Sequence, residues 1–323
     1  MGENELMLVL GSTSEIAWAT VQRLAQDKRL HWRFFLTGRN LAAVKQQAQQ
    51  LAAATKQEVF FGYFDAMDDL TQHERLWRCV VPTLVVDAAH QQADDRQSPA
   101  CTPACTPVVY SVLPDGMVQA AAAPSVSDRA GPLGAVFCAV GYLGQREQVQ
   151  DLAADAEHER VWRCNYSGLL PLLNRAAMYF EQRGYGRLLV ISSVAGERGR
   201  CSNFFYGAAK AAMTAYLSGL RVRLLHSHRE WLRQQARTQS QRSLRNRYQM
   251  QVLTILPGYV RTKMVSGRKL PPLITATPEQ VAADIVRAMG RGQDVLYTIW
   301  VWRYIMLVTR HIPECVFKRL HMF

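Results

Sequence analysis

The sequence predicts an α/β protein, a single domain of residues 1–323 built on a doubly wound parallel sheet. Strand-like and helical segments alternate along the chain, which is typical of a parallel sheet covered by helices on both faces. The strand-like segments 5–10, 187–193 and 250–256 are nearly continuous apolar runs, as expected for strands buried on both faces. With 323 residues, 49% of them hydrophobic, the chain is long enough to bury one large core.

The first strand-like run ends in a turn that leads into a helical segment, residues 18–26. This order places a helix N-terminus, with its free backbone N–H groups, where a pyrophosphate can bind. The candidate contacts in the turn are Gly11, Ser12, Thr13, Ser14 and Ile16. Glu15 is unfavourable there, because its carboxylate repels a pyrophosphate unless the side chain turns outward.

Tyr206 and Lys210 are four residues apart and therefore lie on one face of a predicted helix. A neighbouring ammonium favours the phenolate and moves the pKa of the tyrosine from about 10 toward the neutral range. Ser193 lies thirteen residues before Tyr206, at a strand end where its hydroxyl can hydrogen-bond a substrate carbonyl. The three residues together predict general acid–base chemistry on a carbonyl compound.

The order and spacing of these residues resemble the short-chain dehydrogenase/reductase family, which has a Rossmann fold and a nicotinamide cofactor. The resemblance implies that Ser193 orients the carbonyl, Tyr206 protonates the developing alkoxide, and Lys210 binds the cofactor ribose and lowers the tyrosine pKa. It also implies that Asn165 holds a water molecule that relays protons to the lysine. The implied reaction is the NAD(P)H-dependent interconversion of a carbonyl and a secondary alcohol.

The same resemblance assigns further residues to cofactor binding. Asp65 is expected to meet the adenine, and Gly141 stands in a glycine-rich turn beside the cofactor. The residues expected to clamp the nicotinamide carboxamide, after the strand-like run 250–256, are Pro257, Gly258, Val260 and Thr262.

Arg39 bears on the choice of cofactor, because it follows the second strand-like segment. An acidic residue at this point accepts hydrogen bonds from the adenosine ribose and favours NAD(H). The chain has none there, and Arg39 offers a cation for a 2′-phosphate. NADP(H) is therefore preferred, with NAD(H) and a merely solvated arginine as the alternatives.

The glycine pattern of the first turn departs from that of the family, Gly-x-x-x-Gly-x-Gly. This chain keeps Gly11 and has Glu15 and Ala17 at the other two positions, of which Ala17 is the milder change. The lost glycines favour a nucleotide-binding protein without turnover, such as a sensor or an assembly subunit. The intact catalytic set favours an enzyme, and an epimerase or dehydratase on the same scaffold is a third interpretation.

A closer resemblance is to the bacterial branch that includes the decaprenylphosphoryl-2-keto-pentose reductases. It is carried by residues 141–144, 193–200, 294–298 and 310–313. This resemblance implies a keto-sugar attached to a polyprenyl phosphate as the substrate, with a small soluble carbonyl compound as the alternative. The family resemblance also suggests a homo-oligomer.

The segment 91–132 is interpreted as a surface insertion that can be disordered, because it is rich in Ala, Pro, Ser and Gln. Residues 134–141 are preferred to 83–89 as the central strand, since a glycine-rich turn follows them. Cys101 and Cys105 lack a nearby histidine or second cysteine pair, so no metal site is predicted there.

The chain has a formal net charge of +12, and the positive charge is concentrated between residues 221 and 247. This segment contains eight arginines and a single acidic residue, Glu230. Residues 227–248 are interpreted as a basic insertion. A solvated helical extension, contact with anionic lipid head groups and contact with nucleic acid are the three interpretations, the last being the least favoured.

The C-terminal extension, residues 300–323, mixes tryptophan, tyrosine, aliphatic and basic residues. It is too short to span a bilayer, which takes about 20 apolar residues, but it suits an amphipathic helix at a membrane interface. A helix that caps the sheet or forms a dimer face is the alternative. Seven scattered cysteines and a start without a signal peptide predict a cytoplasmic protein, peripheral to the inner face of the cell membrane if the helix is interfacial.

Overall fold

A computed structural model of the chain describes residues 5–27, 31–81, 109–121, 125–145, 151–236, 249–267 and 270–320. Within these residues the strands are β1 (Glu5–Leu10), β2 (Trp32–Gly38), β3 (Val59–Tyr63), β4 (Val109–Val112), β5 (Val118–Ala121), β6 (Leu133–Cys138), β7 (Gly186–Ile191), β8 (Met250–Pro257), β9 (Tyr259–Val260), β10 (Thr275–Ala276) and β11 (Val295–Thr298). The helices are α1 (Glu15–Gln26), α2 (Leu41–Thr55), α3 (Leu70–Val80), α4 (Ser125–Ala130), α5 (Asp155–Asn165), α6 (Leu170–Arg183), α7 (Phe204–Gln235), α8 (Pro278–Gly290), α9 (Val301–His311) and α10 (Glu314–Phe317).

Nine of the described strands form one sheet in the order β11-β8-β7-β6-β1-β2-β3-β4-β5. Neighbouring strands from β11 to β3 are parallel, and β1 lies between β6 and β2. The strand order therefore reverses at β1, which makes the carboxyl end of β1 the expected binding point of a wound sheet. The predicted α/β fold with a doubly wound, mainly parallel sheet is confirmed.

The central strand β6 comes from the segment 134–141, as predicted, and pairs with β1 and β7. The competing segment 83–89 lies outside the described residues, as do Cys101 and Cys105.

Strand β1 shows why the apolar runs in the sequence are continuous. Leu6, Leu8 and Leu10 pack into the core on one face of the sheet, and Met7 and Val9 pack into the core on the other. All five side chains are fully buried. Burial of one such side chain stabilises the fold by about 2 kcal/mol, so β1 is held from both sides.

Within the segment 91–132, interpreted from the sequence as a surface insertion that can be disordered, the structure describes residues 109–121 and 125–132, which contain β4, β5 and α4. Strand β4 pairs antiparallel with β3, and β5 pairs antiparallel with β4, so the insertion widens the sheet. The turn between them contains Pro114-Asp115-Gly116, and Gly116 has a φ of +88°. A Pro-Asp-Gly run is a turn signal that could have revealed this hairpin.

Residues 155–183 form two helices, α5 and α6, that do not continue into each other. A 3₁₀ turn, Ser167–Leu169, separates them, and Pro171 lies in the first turn of α6, where proline is tolerated. A Cβ atom at Gly168 would overlap the backbone of Ala66. The chain bends here because it passes very close to the loop that follows β3.

The predicted basic insertion begins inside α7, which is 32 residues long. His228 and Leu232 are buried in this helix, and the His228 Nδ1 atom lies 2.6 Å from the carbonyl oxygen of Gly184. A Cβ atom at Gly184 would overlap the indole of Trp231. One side of residues 227–235 therefore packs against the fold, whereas Arg229 and Arg233 on the other side are exposed; residues 237–248 lie outside the described part.

The C-terminal extension forms α9 and α10. On α9, Trp302, Met306 and Thr309 are buried against the end of the sheet. The opposite side of the helix exposes Trp300, Tyr304, Leu307 and Val308, which we call the outer face of α9. Among the described helices, none has both the length and the apolar content needed to cross a bilayer.

Candidate active site

A cavity of about 480 Å³ opens at the carboxyl ends of the parallel strands, at the point where the strand order reverses. Its size is in the range of cofactor and small-molecule sites. The sequence-predicted residues that line it are Gly11, Thr13, Ser14, Ile16, Arg39, Asp65, Gly141, Ser193, Tyr206, Lys210, Pro257, Gly258, Val260 and Thr262. The structure thus brings together residues from the whole length of the chain, and of the predicted set only Ser12 and Asn165 lie behind the cavity wall.

Ser193 follows β7 at the start of a 3₁₀ turn, Val194–Gly196, and Tyr206 and Lys210 lie in the first two turns of α7. The Ser193 Oγ atom accepts a hydrogen bond of 3.1 Å from the backbone N–H of Ala195. A Cβ atom at Gly196 would come within 2.7 Å of the Lys210 backbone. This glycine lets the turn and the start of α7 approach closely enough for the three side chains to reach the same cavity.

Burial sets the pKa values of the tyrosine and the lysine, in a direction opposite to the expectation from the sequence. Burial raises the pKa of Tyr206 to about 12, although a hydrogen bond with Ser193 opposes the rise. Burial lowers the pKa of Lys210 to about 8. The expectation that Lys210 brings the tyrosine pKa near neutral is therefore wrong for the protein alone, because the loss of hydration is the largest effect on the pKa of Tyr206.

The Lys210 ammonium is held in place from the strand side. Its Nζ atom donates a hydrogen bond of 3.0 Å to the carbonyl oxygen of Ile191, at the end of β7. The Nζ atom lies 5.8 Å from the centre of the Tyr206 ring. At neutral pH the cavity therefore contains the protonated phenol of Tyr206 beside the buried amine of Lys210, whose pKa lies close to neutral pH.

Asn165 is the last residue of α5 and is fully buried. Its Nδ2 atom donates to the carbonyl oxygens of Tyr142 and Val161, at 2.6 and 2.8 Å, and its Oδ1 atom accepts from the Tyr142 N–H at 3.2 Å. The amide thus fixes the turn that contains Gly141. A Cβ atom at Gly141 would lie 3.7 Å from the Lys210 Nζ atom, so this turn passes directly beside the lysine.

The turn after β1 has the geometry of an anion-binding site. Gly11 has a φ of +80°, and a Cβ atom there would lie 2.9 Å from the Val140 side chain, so glycine is required. The N-cap residue of α1, Ser14, makes no side-chain capping bond, which leaves the first backbone N–H groups of the helix facing the cavity. Ser12 instead supports the turn from behind, since its Oγ atom donates to Gln47 at 2.9 Å.

Arg39 stands at the end of β2, and its side chain is 54% exposed. Its Nε atom lies 4.0 Å from the nearest carboxylate oxygen of Asp65, which is too long for a tight ion pair. The other Asp65 oxygen accepts a hydrogen bond of 3.0 Å from the Met67 N–H. The guanidinium therefore keeps hydrogen-bond donors available at this end of the cavity.

Glu15 lines the same cavity, but its carboxylate is not directed at the turn. Its Oε2 atom accepts a hydrogen bond of 2.7 Å from the backbone N–H of Lys263, in the segment after β9. An acidic residue here is compatible with a pyrophosphate only if its side chain turns away. The Glu15 side chain does so in the structure.

The cavity-lining residues that were not selected from the sequence include Arg200, Asn203 and Trp302. The Asn203 Oδ1 atom is buried and has no hydrogen-bond partner among the described residues, although Asn203 is the N-cap residue of α7. Trp302 reaches the cavity from α9 and donates through its indole N–H to the carbonyl oxygen of Ile274 at 3.0 Å. The position of Asn203 three residues before Tyr206 is a signal that could have identified it, whereas Trp302 gives none.

The chain is similar in sequence to known oxidoreductases. The short chain dehydrogenase family model matches residues 99–228. An uncharacterized oxidoreductase of Mycobacterium tuberculosis is 28% identical over 314 residues, which are 97% of this chain and 96% of that protein. An uncharacterized oxidoreductase of Streptomyces coelicolor is 31% identical over 199 residues, 59% of this chain and 66% of that protein.

Solved structures show the same fold. A short-chain dehydrogenase from Sphingobium yanoikuyae in complex with NADPH has a TM-score of 0.63 at 18% identity, covering 98% of this chain and 97% of that one. A short-chain dehydrogenase from Burkholderia cenocepacia in complex with NADP has the same TM-score at 13% identity, covering 99% of both chains.

The fold and the site define a nicotinamide-dependent oxidoreductase. The chain is an NAD(P)-dependent enzyme, and it is similar to the short-chain dehydrogenases over residues 99–228 and in its fold.

Proposed function

We propose that this enzyme reduces a ketone to a secondary alcohol with NADPH, and that Ser193, Tyr206 and Lys210 carry the reaction. The observation that supports this most directly is that these three side chains meet in one cavity at the carboxyl ends of the strands. The bound nicotinamide supplies the hydride. The interpretation as a protein without turnover rested on the altered glycine turn, and no specific observation favours it now that Glu15 is seen to turn aside.

In this proposal each side chain acts on a stated atom. The Ser193 hydroxyl donates a hydrogen bond to the substrate carbonyl oxygen, and the Tyr206 hydroxyl delivers a proton to the same oxygen as the alkoxide develops. Because the pKa of Tyr206 is about 12, the phenol holds its proton at neutral pH and is ready to act as the acid.

Lys210 and Asn165 restore that proton. The Lys210 ammonium binds the ribose hydroxyls, and its pKa of about 8 allows it to exchange a proton near neutral pH. Asn165 fixes the turn at Gly141 beside the lysine and, as the family resemblance implies, positions the water through which protons reach it.

The preference for NADPH over NADH is assigned to Arg39. Its half-exposed guanidinium stands at the end of β2, where a 2′-phosphate would lie, and no residue that the structure describes holds it in a tight ion pair. Asp65, Gly141, Pro257, Gly258, Val260 and Thr262 line the remainder of the cofactor site in this proposal.

The substrate that we propose is a keto-sugar carried on a polyprenyl phosphate. Besides the resemblance to the reductase branch named above, the surface near the cavity supports it. The helix α9 contributes Trp302 to the cavity wall and exposes an apolar outer face on its other side. Leu273 is 93% exposed and adjoins Ile274, which contacts Trp302.

A membrane-peripheral location at the cytoplasmic face follows from this substrate. An apolar helix face with tryptophan and tyrosine suits the interface of a bilayer, and the exposed side chains of Arg303 and Lys318 suit anionic head groups. A lipid-linked sugar would then enter the cavity from the membrane surface.

The experiment that tests the proposed function is a screen of polyprenyl-linked and soluble keto compounds with NADPH and NADH in parallel. We expect oxidation of NADPH with a polyprenyl-linked keto-sugar and slower turnover with NADH. Equal rates with the lipid-linked and the soluble form of the same keto-sugar would contradict the lipid-linked substrate. The absence of NADPH binding by fluorescence titration would contradict the proposal as a whole.

A further inference from the structure

The hydrogen bond between Glu15 and the backbone N–H of Lys263 joins two parts of the cavity wall that are 248 residues apart in the chain. Glu15 is the first residue of α1, and Lys263 begins a 3₁₀ turn, Lys263–Val265, directly after Thr262. Both residues line the cavity. The side chain therefore reaches across the cavity rim, from the turn expected to bind the pyrophosphate to the segment expected to meet the nicotinamide.

The segment of residues 262–266 has little else that holds it in this position. Its other hydrogen bonds among the described residues are local: Val265 N–H to Thr262, Ser266 N–H to Lys263, and the Thr262 hydroxyl to Val260. Lys263 and Met264 are exposed, so the segment is not packed into the core. The firm anchor lies before it, where the Arg261 N–H donates to Ala276.

The carboxylate is well suited to this contact. A carboxylate that accepts a backbone N–H forms a charge-assisted hydrogen bond, which is stronger than a neutral one. Its negative charge also lies in the first turn of α1, where the helix dipole favours it. A glycine, which the family pattern has at this position, has no side chain and could not make the bridge.

We propose that Glu15 is a positioning residue, whose carboxylate ties residues 262–265 to the turn after β1 and so holds Thr262 at the nicotinamide end of the cavity. The effect on the cofactor rests on the proposed function, whereas the bridge itself does not. Glu15, which stands where the family pattern has a glycine, thus connects the two sides of the cofactor site by a hydrogen bond.

The bridge can be tested in the protein without cofactor by hydrogen–deuterium exchange. We expect Glu15→Ala and Glu15→Gly to speed exchange in the peptide that contains Lys263 by about tenfold, the order expected for one charge-assisted hydrogen bond. Glu15→Gln keeps an acceptor oxygen and should retain most of the protection. Gln22→Ala, on the exposed side of α1, is the matched control. Unchanged exchange in Glu15→Ala would overturn the proposal, whether or not NADPH is the cofactor.

NADPH titration distinguishes a link from simple charge repulsion. If Glu15 acts as a link, Glu15→Gln binds NADPH at least as tightly as the wild type, and Glu15→Ala binds it more weakly. If the carboxylate only repels the cofactor, both variants bind more tightly and by a similar factor. The second pattern would refute the positioning role.

The donor side of the bond allows a second, independent test. Thr262 has an extended backbone, with ψ of 166°, and Lys263 opens a 3₁₀ turn, so proline is compatible with position 263. Lys263→Pro removes the N–H group, whereas Lys263→Ala removes the side chain and keeps it. We expect Lys263→Pro to weaken NADPH binding relative to Lys263→Ala, and Glu15→Ala to add nothing to Lys263→Pro. Additive effects of the two substitutions would show that no such link exists.

Discussion

For Tyr206 and Lys210, the spacing in the sequence predicts where the side chains lie but not their pKa values. Their separation of four residues correctly places both side chains on one face of a helix. The pKa values, however, depend on how completely the fold removes water from both groups, and neighbouring residues in the sequence do not specify that. The result is a phenol that keeps its proton and a lysine that gives one up more readily.

The first prediction concerns the proton donor. Tyr206→Phe removes the hydroxyl without changing the ring, so we expect kcat to fall by about a hundredfold or more while NADPH affinity and Tm are retained. Tyr216→Phe on the same helix is the control, since the Tyr216 hydroxyl donates to Asn174. Steady-state kinetics with a reducible ketone provide the measurement, and near-normal turnover of Tyr206→Phe would contradict the assignment.

The second prediction concerns the buried lysine. Its pKa falls from 10.5 in the unfolded chain to about 8 in the fold, so the unfolded chain binds the proton more readily and stability rises with pH between these values. Lys210→Met removes this penalty. The stability advantage of Lys210→Met over the wild type should therefore shrink as the pH rises. We expect the difference in free energy of unfolding, variant minus wild type, to decrease by about 3 kcal/mol between pH 7.5 and pH 10.5. Urea unfolding at several pH values checks it, and a difference independent of pH would contradict the burial of a charged amine.

The third prediction concerns cofactor choice. Arg39→Ala removes the cation proposed to bind the 2′-phosphate, so the Kd for NADPH should rise by about tenfold or more while the Kd for NADH stays nearly constant. Fluorescence titration with both cofactors measures the ratio. Arg23→Ala, an exposed arginine of α1, serves as the control. Equal weakening toward both cofactors would mean that Arg39 does not select between them.

At the scale of elements, α9 has two sides with different roles. Trp302 and Met306 are packed into the core, and Trp302 also lines the cavity, whereas the outer face of the helix is exposed. The sequence correctly indicated an amphipathic helix. Its alternatives, a cap on the sheet and an interfacial element, are compatible, because one side packs inward and the other is left exposed.

The fourth prediction tests the outer face of α9. We expect the wild-type protein to sediment with vesicles of mixed phosphatidylglycerol and phosphatidylcholine at low salt, and less with phosphatidylcholine alone. Trp300→Ser combined with Leu307→Ser should weaken this binding by about tenfold or more, because both side chains lose apolar contact with the bilayer.

Leu70→Ser, at an exposed leucine that begins α3, is the control for a general effect of surface polarity. Vesicle binding that survives the double substitution would contradict the membrane role. A wild-type dimer that the same substitutions dissociate would instead identify the outer face as a subunit contact.

At the scale of the whole molecule, the parallel sheet and the position of its cavity were predictable, because buried strands and glycine turns follow local rules. The place of β4 in the sheet was not, since β4 pairs with β3, about fifty residues earlier in the chain, whereas the turn between β4 and β5 has a local sequence signal. The wall contributed by Trp302 was also missed, because residues in a C-terminal helix can reach a cavity only through the tertiary fold. The features that follow from local sequence were therefore predictable, and those that depend on contacts between distant parts of the chain were not.

The close contact between Gly258 and Trp302 has an evolutionary consequence. A Cβ atom at position 258 would overlap the indole ring of Trp302. A large aromatic residue in this part of the terminal helix is therefore compatible only with glycine at 258. In an alignment of many relatives, the two positions should covary, and chains with alanine or a larger residue at 258 should carry a smaller side chain at 302.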